Sequence, residues 1–107
     1  MNYRERKILK ECLERFQKDM YVHSVLQVLQ MRLRFKETDV KKVKVYRDNF
    51  SQVRSLFNIL KRKRIPLTEF QTVLEITGQP YLSQYIQSRR ELHEGMPMTP
   101  GRLNPRI

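Results

Sequence analysis

The chain has 107 residues and a formal net charge of +11 at neutral pH. This length suits one compact domain, and a hydrophobic fraction of 39% is enough for amphipathic helices while excluding a fully disordered chain. No apolar run approaches the about eighteen residues that a transmembrane helix needs, and the first ten residues do not resemble a signal peptide. We therefore expect a soluble, cytoplasmic protein without a membrane partner.

The positive charge is concentrated in the middle of the chain. Residues 31–65 carry twelve basic and three acidic side chains. The first thirty residues have six bases and four acids, and residues 66–107 have four of each. This asymmetry predicts a basic surface and an acidic partner, either a protein or a polyanion.

Apolar residues at three- and four-residue intervals predict a first helix over residues 3–19, with Asn2 at its N-cap. Its stripe includes Cys12, the single cysteine. We expect Cys12 to be a buried hydrophobic residue, because it has no second cysteine for a disulfide or a metal site. A second apolar stripe over residues 22–33 predicts a short second helix.

The third predicted helix is weak and very basic. Thr38 and Asp39 are its expected caps, and Val40, Val43 and Tyr46 are its inward-facing residues. Asp48 or Asn49 then caps a fourth helix with the clearest stripe in the sequence. That stripe consists of Phe50, Val53, Leu56, Phe57 and Leu60.

Proline and glycine divide the rest of the chain. Pro66 ends the fourth helix, and Thr68 with Gln71 has the spacing of a capping box for a fifth. Gly78 is expected to end that helix in the left-handed conformation, and Pro80 suits the first turn of a sixth. The predicted inward-facing residues of these two helices are Phe70, Val73, Leu74, Ile76, Leu82, Tyr85, Ile86 and Leu92.

The composition predicts a helical domain over residues 1–94 and a flexible linker or tail over residues 95–107. The tail contains Gly, Pro, Met and Arg without periodicity. Isolated helices of the predicted lengths are marginal in water, so their apolar stripes must bury against one another. We therefore expect an antiparallel helical bundle.

Motifs along residues 3–90 resemble those of one known family. They are Arg-Lys-Ile-Leu at 6–9, Tyr-Val at 21–22, Leu-Phe-Asn-Ile-Leu at 56–60, Phe70 with Leu74, and Ile-Thr-Gly-Gln at 76–79 followed by Leu82 to Ile86. This pattern is similar to the caspase recruitment domain, above all to the prodomain of an initiator caspase. The resemblance implies an all-α, six-helix antiparallel bundle of the death fold, with Greek-key topology.

Two features depart from the family pattern. The turn at residues 63–66, Lys-Arg-Ile-Pro, lacks the glycine that is common there. The third helix is basic, whereas the family often carries acidic residues on its second and third helices. We therefore expect an acidic partner domain rather than self-association through that contact.

The resemblance implies a homotypic interaction module that recruits its parent protein, an initiator caspase or an adaptor, to an oligomeric apoptotic or inflammatory scaffold. The implied partner is an acidic caspase recruitment domain of a scaffold or adaptor protein, within a higher-order hetero-oligomer. The candidate partner-binding residues are Lys7, Lys10, Arg47, Arg54, Lys61 and Arg62. Lys10 and Arg54 match the family residue by residue, and the others are chosen by helical face.

The sequence predicts no catalytic residue, no metal site and no cofactor, so we do not expect an enzyme. Caspase catalysis needs a Gln-Ala-Cys-x-Gly setting and an upstream histidine, and this chain has neither. His23 and His93 have no metal-ligand spacing, and we expect both to be exposed near helix ends. Glu11 and Arg15 have the spacing of an ordinary surface ion pair.

The alternative is a basic helical domain that binds nucleic acid. The sequence pI of about 10.2 favours it, and the basic run at residues 61–64 is also typical of a nuclear import signal. However, Phe50, Phe57, Phe70 and Tyr85 fall on inward stripes, which leaves few rings to stack on bases. A protein partner is therefore the favoured prediction.

Overall fold

A computed structural model describes residues 1–94 of the protein as six α-helices. They are α1 (Tyr3–Asp19), α2 (Val22–Met31), α3 (Glu37–Lys44), α4 (Asn49–Arg62), α5 (Leu67–Ile76) and α6 (Pro80–Glu94). Residues 1–94 contain no strand, which confirms the predicted all-helical class. None of these helices is both long and apolar enough to cross a lipid bilayer. The predicted tail, residues 95–107, lies outside the described residues.

Local sequence explains several helix boundaries. Asn2 and Asp48 each accept a hydrogen bond of 2.8 Å from the backbone amide three residues later, which caps α1 and α4 as predicted. Gly78 has a φ of +76° just after α5, in the left-handed region that glycine tolerates. Pro80 is the first residue of α6, where its missing N–H costs no intrahelical hydrogen bond.

Two predicted helix starts are wrong. α3 begins at Glu37, and Asp39 lies in its first turn, where the carboxylate accepts a 2.9 Å hydrogen bond from the Lys36 backbone amide. Thr68 does not cap α5, because Pro66 is the N-cap and no side chain caps that helix. The fixed φ of Pro66 already directs the chain into the helix, so a side-chain cap is dispensable.

α1 packs against both α4 and α6, while α5 packs against α2 and α6, and α3 packs against α4. α1 and α4 are antiparallel, since the end of α1 meets the start of α4. There, Gln17 Nε2 donates to the Phe50 carbonyl at 3.1 Å, and Asn49 Nδ2 donates to the Gln17 carbonyl at 2.9 Å. These two bonds set the register of the α1–α4 pair.

Three buried phenylalanine rings tie α1, α4 and α5 together. The rings of Phe16, Phe57 and Phe70 have centroids 5.6 to 6.0 Å apart in all three pairings. Two of the pairs have the edge-to-face geometry that aromatic rings prefer. Cys12 is fully buried in the same core, as predicted.

Five residues that were predicted to face inward are exposed. They are Leu33, Tyr46, Phe50, Ile76 and Leu92. Leu33 and Tyr46 lie just outside α2 and α3, and the other three lie in the first or last turns of their helices. The apolar stripe continues in the sequence at these positions, but no other part of residues 1–94 buries them.

The Thr-Gly-Gln step between α5 and α6 holds distant parts of the chain together. The side chain of Gln79 is fully buried, its Oε1 accepts a 2.8 Å hydrogen bond from the Tyr21 amide, and its Nε2 donates to Thr77 Oγ1 at 2.9 Å. The turn after α5 is thereby fixed to the start of α2. Gln79 has a structural role, because all of its contacts are within the fold.

Candidate functional site

The exposed face of α4 carries two of the predicted partner-binding residues. Val53, Leu56 and Leu60 bury the opposite face of the helix in the core. Arg54 and Lys61 are seven residues apart, which places them on one side of α4 because a helix makes about two turns in that interval. The helix therefore presents both cations on its solvent side.

The antiparallel packing of α1 and α4 creates an open groove of about 790 Å³, which we call the α1–α4 groove. It is lined by Tyr3, Arg6, Lys7, Lys10, Glu11 and Lys61. The start of α1 lies beside the end of α4, so Lys7 and Lys10 are brought together with Lys61. Sequence reasoning did not include Arg6, although its exposed position beside Lys7 could have suggested it.

Glu11, the one carboxylate among the residues that line this groove, contacts side chains of α6. His93 Nε2 lies 3.1 Å from both carboxylate oxygens of Glu11, and Arg89 Nη1 lies 4.0 Å from one of them. The predicted pair of Glu11 with Arg15 is therefore wrong, and Arg15 instead bonds Asp19 at 2.7 Å. His93 was predicted to be exposed, but its contact with Glu11 leaves it only partly so. No ion pair joins Glu11 to the lysines of the groove.

A second groove of about 360 Å³, the α3–α4 groove, contains Arg54. It is lined by Tyr46, Phe50, Ser51, Arg54, Ser55 and Asn58. The structure therefore places Arg54 on the same side of α4 as Lys61 but in a different groove. The rings of Tyr46 and Phe50 are half-exposed, whereas the sequence analysis assigned both to inward stripes. Their location at helix ends is the signal that could have identified them.

Arg47 and Arg62, the remaining predicted residues, are exposed but line neither groove. Arg47 lies in the connection between α3 and α4, and Arg62 is the last residue of α4. Within residues 1–94, none of the six predicted cations forms an ion pair. All six charges are therefore available to an external partner.

Other cations of the basic middle segment are neutralised internally, in what we call the paired cluster. It consists of Glu69 with Arg32 and Arg34, and of Asp39 with Lys63. Arg34 donates two hydrogen bonds to the Glu69 carboxylate, and Lys63 Nζ lies 2.9 Å from Asp39 Oδ2. These pairs connect α5 to the α2–α3 connection and α3 to the end of α4.

The paired cluster lowers the pKa of both of its carboxyl groups. For Glu69, the hydrogen bonds from Arg34 hold the pKa below its usual value of 4.5. For Asp39, burial alone raises the pKa, but the Lys36 amide and the Lys63 ammonium group outweigh it and bring the pKa below 3.8. Both side chains are therefore charged at neutral pH and act as internal counter-ions.

Residues 1–94 contain neither an activated thiol nor a cluster of metal ligands. Burial raises the pKa of Cys12 from 9.0 to about 12, so its thiol stays protonated at neutral pH. His23 is exposed in the first turn of α2. Over the same residues, no three His, Cys, Asp or Glu side chains are arranged to hold a metal ion.

Comparisons with protein-family models, curated proteins and solved structures gave no match for this chain. Its function is therefore inferred from its own residues and their arrangement. The feature that stands out is the set of unpaired cations along α1 and α4.

Proposed function

We propose that this chain is a recruitment module of the caspase recruitment type, which docks through its basic surface onto an acidic domain of the same fold. The observation that carries the proposal is the α1–α4 groove, where Lys7, Lys10 and Lys61 converge without an internal ion-pair partner. Arg54 extends this basic surface along α4. Charge complementarity of this kind supplies specificity and a fast association rate.

We further propose that the six helices follow the Greek-key arrangement of the death fold. The packing of α1 against both α4 and α6 supports this arrangement. The Thr-Gly-Gln step, with its buried Gln79, lies where the resemblance to recruitment domains expects it. The missing glycine of the preceding turn is accommodated by Arg64, which adopts a left-handed φ of +58°.

In this proposal the domain does no chemistry itself. An oligomeric scaffold gathers several copies and raises the local concentration of whatever is attached to them. An initiator caspase or an adaptor of apoptotic or inflammatory signalling in the cytoplasm is the parent protein that fits this mode of action.

Charge reversal tests the proposal. Lys61→Glu and Arg54→Glu are each expected to abolish detectable binding to an acidic caspase recruitment domain, because losing one partner of a desolvated pair costs roughly 2–5 kcal/mol. Binding is measured by calorimetry, after a panel of acidic recruitment domains has been screened by size-exclusion chromatography. Far-ultraviolet circular dichroism should show unchanged helicity, since both side chains lie on the solvent side of α4.

Lys18→Glu is the matched control. Lys18 is exposed on α1, forms no ion pair within residues 1–94 and lies outside both grooves, yet the substitution changes the net charge equally. It should leave binding nearly unchanged. Undiminished binding by Lys61→Glu, or an equal loss with Lys18→Glu, would contradict a localised docking surface.

A further inference from the structure

We propose that the α3–α4 groove binds a single-stranded nucleic acid, with bases stacked on Tyr46 and Phe50 and phosphates held by Arg54 in the groove and by Arg47, which follows Tyr46 in the chain but does not line the groove. This site lies outside the α1–α4 groove, where the protein partner is proposed to dock, and shares only Arg54 with the proposed docking surface. It adds a second kind of ligand to the domain and does not depend on the identity of that protein partner.

The first argument is the exposure of two aromatic rings in one groove. Tyr46 is 47% exposed and Phe50 is 50% exposed. Gln17 of α1 is only 5% exposed, and its side-chain amide donates to the Phe50 carbonyl. This bond holds the Phe50 backbone against α1, while the Phe50 ring lies at the surface and is free to stack on a base.

The second argument is the charge around the rings. Residues 41–62 contain seven basic side chains and one acidic one. That acid, Asp48, caps α4 by accepting the Ser51 amide, and neither Arg47 nor Arg54 forms an ion pair within residues 1–94. Free guanidinium groups beside exposed rings are suited to a phosphate backbone that passes over stacked bases.

The third argument is that the groove is fixed before any ligand binds. Gln52 Nε2 donates a 2.7 Å hydrogen bond to the Tyr46 carbonyl, which ties the α3–α4 connection to α4. Ser55 Oγ donates to the Lys42 carbonyl at 3.3 Å, which ties α3 to the same helix. The backbone segments that carry the two rings therefore keep their relative position, and less conformational entropy is lost when a ligand binds.

A single strand fits these features better than a duplex or an acidic protein does. Bases in a duplex are already stacked and cannot lie on the rings, whereas those of a single strand can. Charge alone would serve an acidic protein surface. The combination of two exposed rings, Arg54 and the polar side chains of Ser51 and Asn58 in one groove matches a strand that offers bases and phosphates together.

Fluorescence anisotropy with a labelled oligothymidylate of about ten nucleotides tests the proposal. We expect tighter binding to this single strand than to a duplex of equal length or to heparin. Tyr46→Ala and Phe50→Ala should each weaken single-strand binding about tenfold, which corresponds to about 1.4 kcal/mol. Phe50→Leu, which keeps the apolar contacts but removes the ring, should weaken it similarly.

Tyr21→Ala is the matched control, because Tyr21 is an exposed ring at the start of α2, outside both grooves. It should leave oligonucleotide binding unchanged, and circular dichroism should show that all variants fold. Equal affinity for single strand, duplex and heparin, unaffected by the ring substitutions, would overturn the proposal in favour of simple charge attraction. Absence of oligonucleotide binding, with loss of acidic-domain binding in Phe50→Ala, would overturn it and assign the groove to the protein partner.

Arg54→Glu is expected to weaken both kinds of binding, so the two proposals are distinguished by Lys61→Glu and by the ring variants. Lys61→Glu acts in the α1–α4 groove and should abolish protein docking, while it reduces oligonucleotide affinity by no more than about threefold through long-range charge. The Phe50→Leu variant keeps every cation and should behave in the opposite way. Failure of one proposal therefore leaves a different signature from failure of the other.

Discussion

Two basic regions of this molecule use their charges in different ways. In the paired cluster, Glu69 and Asp39 are largely buried and neutralise cations from neighbouring segments. Along α1 and α4, the candidate cations have no ion-pair partner within residues 1–94. Similar composition thus gives internal cross-links in one region and a free basic surface in the other.

The difference has an energetic consequence. Ion pairs with a largely buried carboxylate are less screened by solvent and salt than pairs between fully exposed groups. The paired cluster should therefore contribute to the stability of the fold, whereas the free cations should contribute little to stability and remain available for binding. The predictions below test this division, beginning with the largest expected effect.

Acidification should destabilise the protein most, because it discharges both carboxylates of the paired cluster. Each has a folded-state pKa below its ordinary value of 4.5 for Glu69 or 3.8 for Asp39, so its stabilisation is present above those values. That stabilisation is lost as the pH falls through the lowered folded-state values. Urea unfolding from about pH 7 to about pH 2 should show the loss beginning below about pH 4.5.

Glu69→Gln provides the internal control for this titration. The variant should be less stable than the parent at neutral pH, and it should lose less free energy of unfolding on acidification. Identical losses in the two proteins would contradict the assignment of Glu69 as a stabilising counter-ion.

Asp39→Asn should have the next largest effect. The substitution keeps an acceptor for the Lys36 amide but removes the charge beside Lys63, and we expect a loss of about 1–2 kcal/mol in the free energy of unfolding. Glu37→Gln is the control in the same helix, since the Glu37–Lys41 side chains are 75% exposed and such pairs are worth less than about 1 kcal/mol. Equal losses in the two variants would show that burial does not distinguish these pairs.

The smallest expected effect has the opposite sign. Leu33 has a φ of +61° and is 91% exposed. Its left-handed backbone is therefore strained, and burial of its side chain does not offset that strain. Leu33→Gly should stabilise the protein by about 0.5–1 kcal/mol, because relief of the left-handed conformation exceeds the added chain entropy. Thermal unfolding measures the change.

Gly78→Ala serves as the reverse control. At a φ of +76°, with no atom near the added methyl group, it should destabilise the protein by about 1 kcal/mol through the backbone alone. A destabilised Leu33→Gly variant would indicate that the bend between Arg32 and Arg34, which both reach Glu69, depends on the leucine itself.

The helices were predictable because their determinants are local. Apolar periodicity gave the bounds of α1, Asp48 gave the start of α4, and Gly78 with Pro80 gave the boundary between α5 and α6. Contacts between distant segments were not predictable. Asp39 bonds the Lys36 amide at the start of α3, but its pairing with Lys63, just after α4, cannot be read from the local sequence. A stripe that continues through Phe50 likewise does not reveal that Gln17 of α1 bonds the Phe50 carbonyl.

The candidate surface was predictable only in part. Helical periodicity could place Arg54 and Lys61 on one face of α4, since both belong to one helix. It could not place Lys61 beside Lys7, because that proximity depends on the antiparallel packing of α1 and α4. It also could not show that Arg54 lies in a second groove, together with two exposed rings.

The sequence by itself determined the helical class, most helix boundaries and the excess of positive charge, because these follow from composition and from interactions within a few residues. Only the tertiary structure decided which cations are neutralised and which rings remain exposed. Arg34 and Glu69 are 35 positions apart, and Glu11 and His93 are 82 apart. Such contacts form only when the buried core brings distant helices together, so the charges that remain for a partner are a property of the packed molecule.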